Sequence, residues 1–262
     1  MILRRLGNKK KIATEIQKYF PPHKIYIEPF FGAGGMFFNK PKANVNIVND
    51  IDSDVFNLFK VVINQKEELE KAFYMMPIHS DLLNYWKKNS EVDPIKKALR
   101  FLFLSNFTYL GKQDCLSFSS NASVKASKDN FKLLLDKTFI ALYDVGFNNN
   151  DFRKFLKDIS FPTDGRNNES KTFIYCDPPY LNTVDKYEME DFNQQDSIEL
   201  FDTLQASKCN FAMSEFDNEF IINQAKERGL NVIIIGERKN LKNRRTEILV
   251  TNYENTQLQM FD

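Results

Sequence analysis

Cysteine is scarce in this sequence, long apolar runs are absent, and neither sign of charge dominates. The three cysteines, Cys115, Cys176 and Cys209, lack the spacing of a metal site or a disulfide framework, which indicates a reducing, intracellular compartment. No stretch is long and apolar enough to span a bilayer. The N-terminus, MILRRLGNKKK, is basic without a following apolar run, so a signal peptide is not expected. We therefore expect a cytoplasmic protein with no membrane partner.

The formal net charge is only +1, so the balance of charge does not decide whether the chain binds nucleic acid. Basic residues nevertheless concentrate in residues 1–24 and again in ERKNLKNRR (237–245). If the fold brings these segments together, they could follow a phosphate backbone. Both could equally be ordinary solvated faces, so charge alone leaves the partner open.

Both ends of the chain alternate between strand and helix patterns. Near the start, a strand in KIYIEPF (24–30) precedes a glycine turn, a second strand in NVNIVND (44–50), and a helix at 53–63 capped by Ser53. Further strands are expected at 138–146, 171–176, 209–214, 231–236 and 246–253. The chain thus predicts seven strands.

The middle of the chain breaks this alternation. Residues 65–105 have helical patterns, and residues 107–129 are polar and serine-rich, as in a loop or hairpin, before another helix. The simplest organisation is an α/β domain formed by residues 1–64 and 138–262, with an inserted, mainly helical unit at 65–137. The expected fold is a Rossmann-like, doubly wound, seven-stranded sheet.

A glycine-rich turn, FFGAGG (30–35), follows the first strand. Glycines there let the backbone approach a ligand closely, and Asp50, which ends the next strand, is placed like the acids that bind ribose hydroxyls. The pattern differs from G-x-G-x-x-G because Phe37 replaces the third glycine. We expect a nucleoside-containing cofactor; a tight turn without a ligand is the alternative.

The apolar strand FIYC (173–176) ends in the four residues DPPY. Proline supplies no ladder donor, so the strand stops and rigid backbone follows. A carboxylate, fixed carbonyls and the flat face of Tyr180 together suit an amino group on a planar ring. At the carboxyl edge of the sheet, with the glycine turn and Asp50, this motif predicts a catalytic site; alone, it could be a strand-ending turn.

These motifs resemble those of the Dam-type, D12-class DNA adenine-N6 methyltransferases over nearly the whole chain. They occur in the family's order: LGNKKKI (6–12), IEPFFGAGGMF (27–37), VNDIDSDV (48–55), NDF (150–152), YCDPPY (175–180) and RRTEILVTNY (244–253). In this family the target-recognition unit is inserted before the catalytic motif, which is where residues 65–137 break the alternation. The resemblance therefore implies a catalytic domain that binds S-adenosylmethionine, with a target-recognition insert.

The resemblance implies methyl transfer from S-adenosylmethionine to the N6 amino group of an adenine flipped out of double-stranded DNA, without a metal. The implied catalytic residues are Asp177, Pro178, Pro179 and Tyr180, with Tyr180 stacked on the base. The implied cofactor-binding residues are Arg5, Lys9, Glu28, Phe30, Gly32, Gly34, Asp50, Asp151, Phe152 and Asp177. Arg5 stands where the family often has an aromatic residue.

The target sequence is not specified by these motifs. Candidate DNA contacts are Lys112, Gln113, Lys125, Lys128 and Tyr187, and the lysines and glutamine could equally be exposed loop residues. SNFTYLGKQDCLSF (105–118) departs from the asparagine-, glycine- and arginine-rich hairpin of members that read GATC. Functional pairing with a restriction endonuclease and a monomeric or weakly dimeric state are both left open.

Other interpretations of the motifs either retain methyl transfer with a different substrate or propose a different class of protein. Methylation of cytosine N4 or of RNA would use the same fold, but Ser-Pro-Pro-Tyr or Asn-Pro-Pro-Tyr is commoner there, whereas Asp177 favours adenine. A nonenzymatic DNA-binding protein on a decayed methyltransferase fold is a second class, against which the intact DPPY and Asp50 argue. A nucleotide oxidoreductase is disfavoured because the third glycine is missing.

Overall fold

The computed structural model describes residues 2–3, 9–108, 115–116, 124–159, 168–181, 192–239 and 244–254. The chain forms two compact units. The first comprises Met1–Lys9, Gly32–Phe38 and Asp52–Asn149, and the second comprises Lys10–Phe31, Asn39–Ile51 and Asn150–Asp262. In the part of the chain that is described, no helix has both the length and the apolar character needed to cross a membrane.

The first unit is mainly helical. Its elements are α2 (Ser53–Asn64), α3 (Lys66–Met75), α4 (Ser80–Lys88), α5 (Pro94–Asn106), α6 (Val124–Leu142) and the short strand β3 (Gly146–Asn148). The helical character predicted for residues 65–105 is confirmed. The same unit also contains α2, β3 and the three glycines of the turn, Gly32, Gly34 and Gly35. The limits 65–137 for an inserted domain stay a prediction.

The strand predicted at 138–146 is wrong, because α6 continues through these residues to Leu142 and β3 begins only at Gly146. Buried side chains recur at Phe131, Leu135, Thr138 and Leu142, which is the spacing of one helix face. A short apolar run such as TFIAL cannot be assigned to strand or helix from periodicity alone. Its helical state follows from the face that begins upstream.

The N-cap predicted at Ser53 is also wrong, since Asp52 takes that position. The Asp52 carboxylate accepts hydrogen bonds from the backbone N–H groups of Asp54, at 2.9 Å, and Val55, at 3.5 Å. An ionised acid at a helix N-terminus also interacts favourably with the helix dipole.

The loop or hairpin predicted at 107–129 is described only in part, because residues 109–114 and 117–123 lie outside the described residues. Thr108 and Leu116 form an antiparallel bridge, and α6 begins at Val124.

The predicted seven-stranded α/β sheet is confirmed in the described residues. Apart from β3, its strands are β1 (Ile25–Glu28), β2 (Val45–Asn49), β4 (Thr172–Cys176), β5 (Asn210–Phe216), β6 (Asn231–Lys239) and β7 (Arg244–Thr251). Their order across the sheet is β3-β2-β1-β4-β5-β7-β6. Strands β2, β1, β4 and β5 run parallel to one another, whereas β7 runs antiparallel between β5 and β6. The second unit also holds α1 (Ala13–Gln17), α7 (Phe152–Lys157), α8 (Gln194–Ala206) and α9 (Glu219–Glu227).

The strands of the second unit present two unlike faces, because successive side chains alternate across a sheet. One face, here called the aliphatic face, carries Ile27, Ile174, Cys176, Met213, Ile248 and Val250, which form one core with residues of α7, α8 and α9. The other, here called the phenolic face, carries Tyr26, Glu28, Phe173, Tyr175, Ser214 and Glu247. Phe20 packs on the phenolic face, with its ring centroid 4.5 Å from that of Phe173.

Candidate active site

Three acids meet at the carboxyl ends of neighbouring parallel strands. Glu28 ends β1, Asp50 follows β2 and Asp177 follows β4, so all three lie along one edge of the sheet. Glu28 is only 2% exposed, and burial raises the pKa of its carboxyl to about 8, with the negative charges of Asp177 and Asp50 raising it further. The sheet therefore brings together three residues that the sequence motifs predicted separately.

Glu28 has two neighbours that oppose this rise in its pKa. The Tyr26 hydroxyl donates a 2.7 Å hydrogen bond to Glu28 Oε2, and the Lys40 ammonium attracts the carboxylate electrostatically. Lys40 Nζ lies 3.9 Å from the centre of the Tyr26 ring, and burial lowers the pKa of Lys40 to about 8. Glu28 is thus a buried acid that holds a proton near neutral pH and would lose it when a cation binds beside it.

The DPPY loop is fixed by contacts on either side of Tyr180. The Tyr180 hydroxyl donates a 2.5 Å hydrogen bond to Glu247 Oε1, and its ring meets the Phe216 ring edge-on at 4.6 Å between centroids. The next backbone N–H, that of Leu181, donates to Glu215 Oε2 at 3.2 Å. Burial raises the pKa of the Tyr180 phenol far above its usual range, so the hydroxyl keeps its proton and acts as a donor.

An aromatic cluster lies where the resemblance places the cofactor adenine. The rings of Phe30 and Phe152 are 5.5 Å apart between centroids, and Phe192 lies 6.1 Å from each. Asp151 caps α7, because its Oδ1 accepts the N–H of Arg153 at 2.9 Å. The structure therefore brings Phe30, Asp151 and Phe152 into one neighbourhood, together with Phe192.

Asn49 is a site residue that the sequence motifs missed. Its side-chain amide donates to the backbone carbonyls of Pro29, at 3.0 Å, and Asn150, at 2.9 Å, while its Oδ1 accepts the N–H of Asn150 at 2.9 Å. The side chain thereby ties the loop after β1 to the loop before α7. Its position in the sequence could have identified it, because Asn49 is the last residue of a strand and directly precedes Asp50.

The predicted cofactor residues Lys9, Gly32 and Gly34 lie in the first unit. Gly32 and Gly34 have φ angles of +53° and +71°, in the left-handed region that other residues rarely adopt. A Cβ added to Gly32 would meet no heavy atom within 4 Å, so the turn leaves open space at that position. Lys9 is buried in a short 3-10 turn.

The predicted DNA contacts are placed only in part. Lys125 is exposed near the start of α6. Lys128 instead donates to the backbone carbonyls of Tyr74, at 2.7 Å, and Met76, at 2.8 Å, where α3 ends, and this contact favours a helix-capping role. Arg5, Lys112, Gln113 and Tyr187 lie outside the described residues.

Comparison with known proteins agrees with the motifs. The family described as D12 class N6 adenine-specific DNA methyltransferase matches residues 6–259. The Type II methyltransferase M1.LlaDCHI of Lactococcus lactis subsp. cremoris is 26% identical over 95% of this chain and 94% of its own length. A DNA adenine methylase of Haemophilus influenzae is 27% identical over 68% of this chain and 63% of its own length.

Among solved structures, Trm5b from Pyrococcus abyssi matches 95% of this chain and 49% of its own, with 11% identity and a TM-score of 0.36, a likeness too low to carry an argument. The family match does identify the family of this chain, since it spans the glycine turn, Asp50 and the DPPY loop. The chain therefore belongs to the D12 class of N6 adenine-specific DNA methyltransferases.

Proposed function

We propose that the sheet edge formed by Glu28, Asp50 and Asp177 binds S-adenosylmethionine and presents its methyl group to a flipped adenine. The donor set suits this cofactor: a buried acid for an ammonium group, an acid at the end of β2 for ribose hydroxyls, and the rings of Phe30 and Phe152 for adenine. The observation that supports it most is the position of Glu28, Asp50 and Asp177 at the carboxyl ends of neighbouring parallel strands.

Glu28 provides a test of cofactor binding that does not depend on catalysis. Its pKa of about 8 means that it is mainly protonated at pH 7, and a bound ammonium would favour the ionised form. Binding of S-adenosylmethionine at pH 7 should then release up to about one proton per cofactor, and Glu28→Gln should release none. Calorimetry in two buffers of different ionisation enthalpy measures this; equal proton release by both proteins would contradict the assignment.

In the proposed reaction, S-adenosylmethionine would supply a methyl group whose bond to sulfur breaks as the bond to adenine N6 forms. A neutral thioether leaves, and N6 gives up one proton to the Asp177 carboxylate. The target amino group has its lone pair delocalised into the adenine ring, so the enzyme must localise that pair. The Asp177 carboxylate and the Pro178 carbonyl accept the two amino hydrogens and draw the nitrogen toward a tetrahedral shape. Tyr180 stacks on the base and holds the ring. Catalysis comes from positioning and electrostatics.

Replacing Asp177 tests this mechanism. Asp177→Ala should reduce methyl transfer by about 1,000-fold or more, because the acceptor for the amino hydrogens is lost. Transfer of tritiated methyl groups to unmethylated DNA measures the effect, and thermal unfolding checks the fold. Asp202→Ala is a matched control, since Asp202 is an exposed acid on α8 that pairs with Arg228. Near-normal turnover by Asp177→Ala would defeat the assignment.

We further propose that the substrate is double-stranded DNA with a specific sequence read by residues 65–137, in a restriction-modification or DNA-marking role. Lys112, Gln113, Lys125, Lys128 and Tyr187 stay the predicted DNA contacts. Sequencing of modified bases in DNA from a host that expresses the protein would identify the target. Methylcytosine instead of N6-methyladenine in that DNA would support the cytosine alternative, and failure to bind S-adenosylmethionine would support a decayed fold.

A further inference from the structure

We propose that Glu247 is a positioning residue for methyl transfer: its carboxylate fixes the orientation of the Tyr180 ring against which the target adenine stacks. This inference rests on the proposed role of Tyr180 in base stacking. Glu247 lies within β7, opposite Phe216 of β5, and is 1% exposed. An acid buried in a sheet lowers stability unless its oxygens are hydrogen-bonded, so a role in holding another group explains its position.

The contacts of Tyr180 restrict the ring at both ends. At the hydroxyl, the 2.5 Å hydrogen bond to Glu247 Oε1 fixes where the phenol points. At the ring edge, Phe216 packs at 86° to the Tyr180 plane. Because Phe216 and Glu247 are register partners, both contacts come from one face of the β5–β7 pair. A swing of the ring about the Cα–Cβ bond of Tyr180 would break both contacts together.

Glu215 fixes the backbone of the same loop from the opposite face of the sheet. It neighbours Phe216 on β5, so its side chain points to the other face. Its Oε2 accepts the N–H of Leu181 at 3.2 Å, and its Oε1 accepts the N–H of Phe216 at 2.8 Å. The loop is thus held at two consecutive residues, by a side-chain contact at Tyr180 and a backbone contact at Leu181.

This arrangement explains how a motif at the end of a strand can position a base. Tyr180 is 9% exposed in the free protein, so a face of the ring must be uncovered when a base stacks on it. Held at its hydroxyl, the ring axis can keep its direction while its surroundings rearrange. A small misplacement of a reacting group costs up to about 100-fold in rate, so loss of this anchor should lower turnover more than it weakens cofactor binding.

The test compares Glu247→Leu, which removes the acceptor at similar size, with Glu247→Gln, which keeps an acceptor oxygen. With tritiated S-adenosylmethionine and unmethylated DNA, Glu247→Leu should lower kcat about 10- to 100-fold and change KM for the cofactor by less than about 3-fold. Glu247→Gln should recover most of that loss. Turnover of folded Glu247→Leu within about 3-fold of wild type would overturn the proposal.

A double variant separates positioning from a general loss of structure. Tyr180→Phe removes the same hydrogen bond from the other side, so Tyr180→Phe combined with Glu247→Leu should lose no more activity than the worse single variant. Multiplied losses would overturn the proposal, and if Glu247→Leu does not fold, turnover of folded Tyr180→Phe within about 3-fold of wild type would overturn it. Wild-type protein that methylates no adenine would refute the proposed function instead, so the two failures are distinguishable.

Discussion

The two faces of the sheet in the second unit differ in chemistry although they share the same strands. The aliphatic face has Ile27, Ile174 and Met213 under three helices, and its stabilisation comes from buried apolar area. The phenolic face has hydroxyl–acid and hydroxyl–hydroxyl pairs: Tyr26 with Glu28, Tyr175 with Ser214, and Tyr180 with Glu247. The first face stabilises the fold, whereas the second positions groups toward the carboxyl edge where the acids meet.

The difference shows how one sheet can meet two demands. Apolar packing tolerates substitution of similar volume, since it is not directional. Buried hydrogen bonds fix direction, and a lost partner leaves a polar group without compensation. We therefore expect substitutions on the aliphatic face to change mainly the free energy of unfolding. Substitutions on the phenolic face should change the pH dependence of stability and the geometry of the candidate active site.

The largest effect on stability should come from Phe201 on α8, which is fully buried in the aliphatic core. Phe201→Ala should lower the free energy of unfolding by about 3–5 kcal/mol, because it removes apolar contacts and leaves a cavity. Phe201→Leu, the matched control, should cost less than half as much. Urea unfolding measures both. A loss below about 1 kcal/mol for Phe201→Ala would mean that this face does not carry the stability assigned to it.

A second effect should distinguish the phenolic face by its response to pH. The folded-state pKa of Glu28, about 8, lies above its ordinary value of 4.5, so the folded chain retains a proton that the unfolded chain has lost. The resulting stability is complete below pH 4.5 and is lost as pH rises through 8, at up to about 1.4 kcal/mol per pH unit in between. Glu28→Gln should lack this slope.

Chemical unfolding of wild type and Glu28→Gln at pH 5, 6 and 7 isolates the contribution of Glu28, since other titrating groups are common to both proteins. If the difference in unfolding free energy stays constant over this range, Glu28 is ionised in the folded chain. The phenolic face would then contain an unprotonated buried acid, and its contrast with the aliphatic face would be one of charge.

The smallest effect should come from the Tyr175–Ser214 pair, whose oxygens are 2.8 Å apart. Tyr175→Phe should lower the free energy of unfolding by about 0.5–1.5 kcal/mol, because Ser214 loses a partner in a buried position. Adding Ser214→Ala should remove part of that penalty, since no hydroxyl is then left unpaired. A cost equal to that of Phe201→Ala would erase the energetic distinction between the faces.

Local patterns in the sequence predicted the sheet and its edge. Strands β1, β2 and β4 lie within the predicted ranges because each is a short apolar run ended by a turn residue or an acid. The end of each parallel strand is visible in the sequence, so the edge at which Glu28, Asp50 and Asp177 meet follows from the topology. The prediction was wrong at 138–146, where an apolar run continues a helix that begins 14 residues earlier, at Val124.

The residues that hold the site were not predicted, because their partners are distant in the chain. Glu247 lies in the alternating run TEILVTNY, where the pattern predicts a solvent-facing acid. It instead accepts a hydrogen bond from the hydroxyl of Tyr180, 67 positions away. Asn49 binds Asn150 across 101 positions. A single sequence shows which groups could react, but such long-range hydrogen bonds depend on the strand order, which no local pattern encodes.

The antiparallel position of β7 has a consequence for synthesis of the chain. β6 is made before β7, yet in the sheet it is joined to β5 only through β7. A nascent chain that stops before residue 244 therefore has β5 as an open edge and β6 without its neighbour. Glu247 lies in β7, so the DPPY loop, synthesised about 70 residues earlier, gains its side-chain anchor only after β7 has been made.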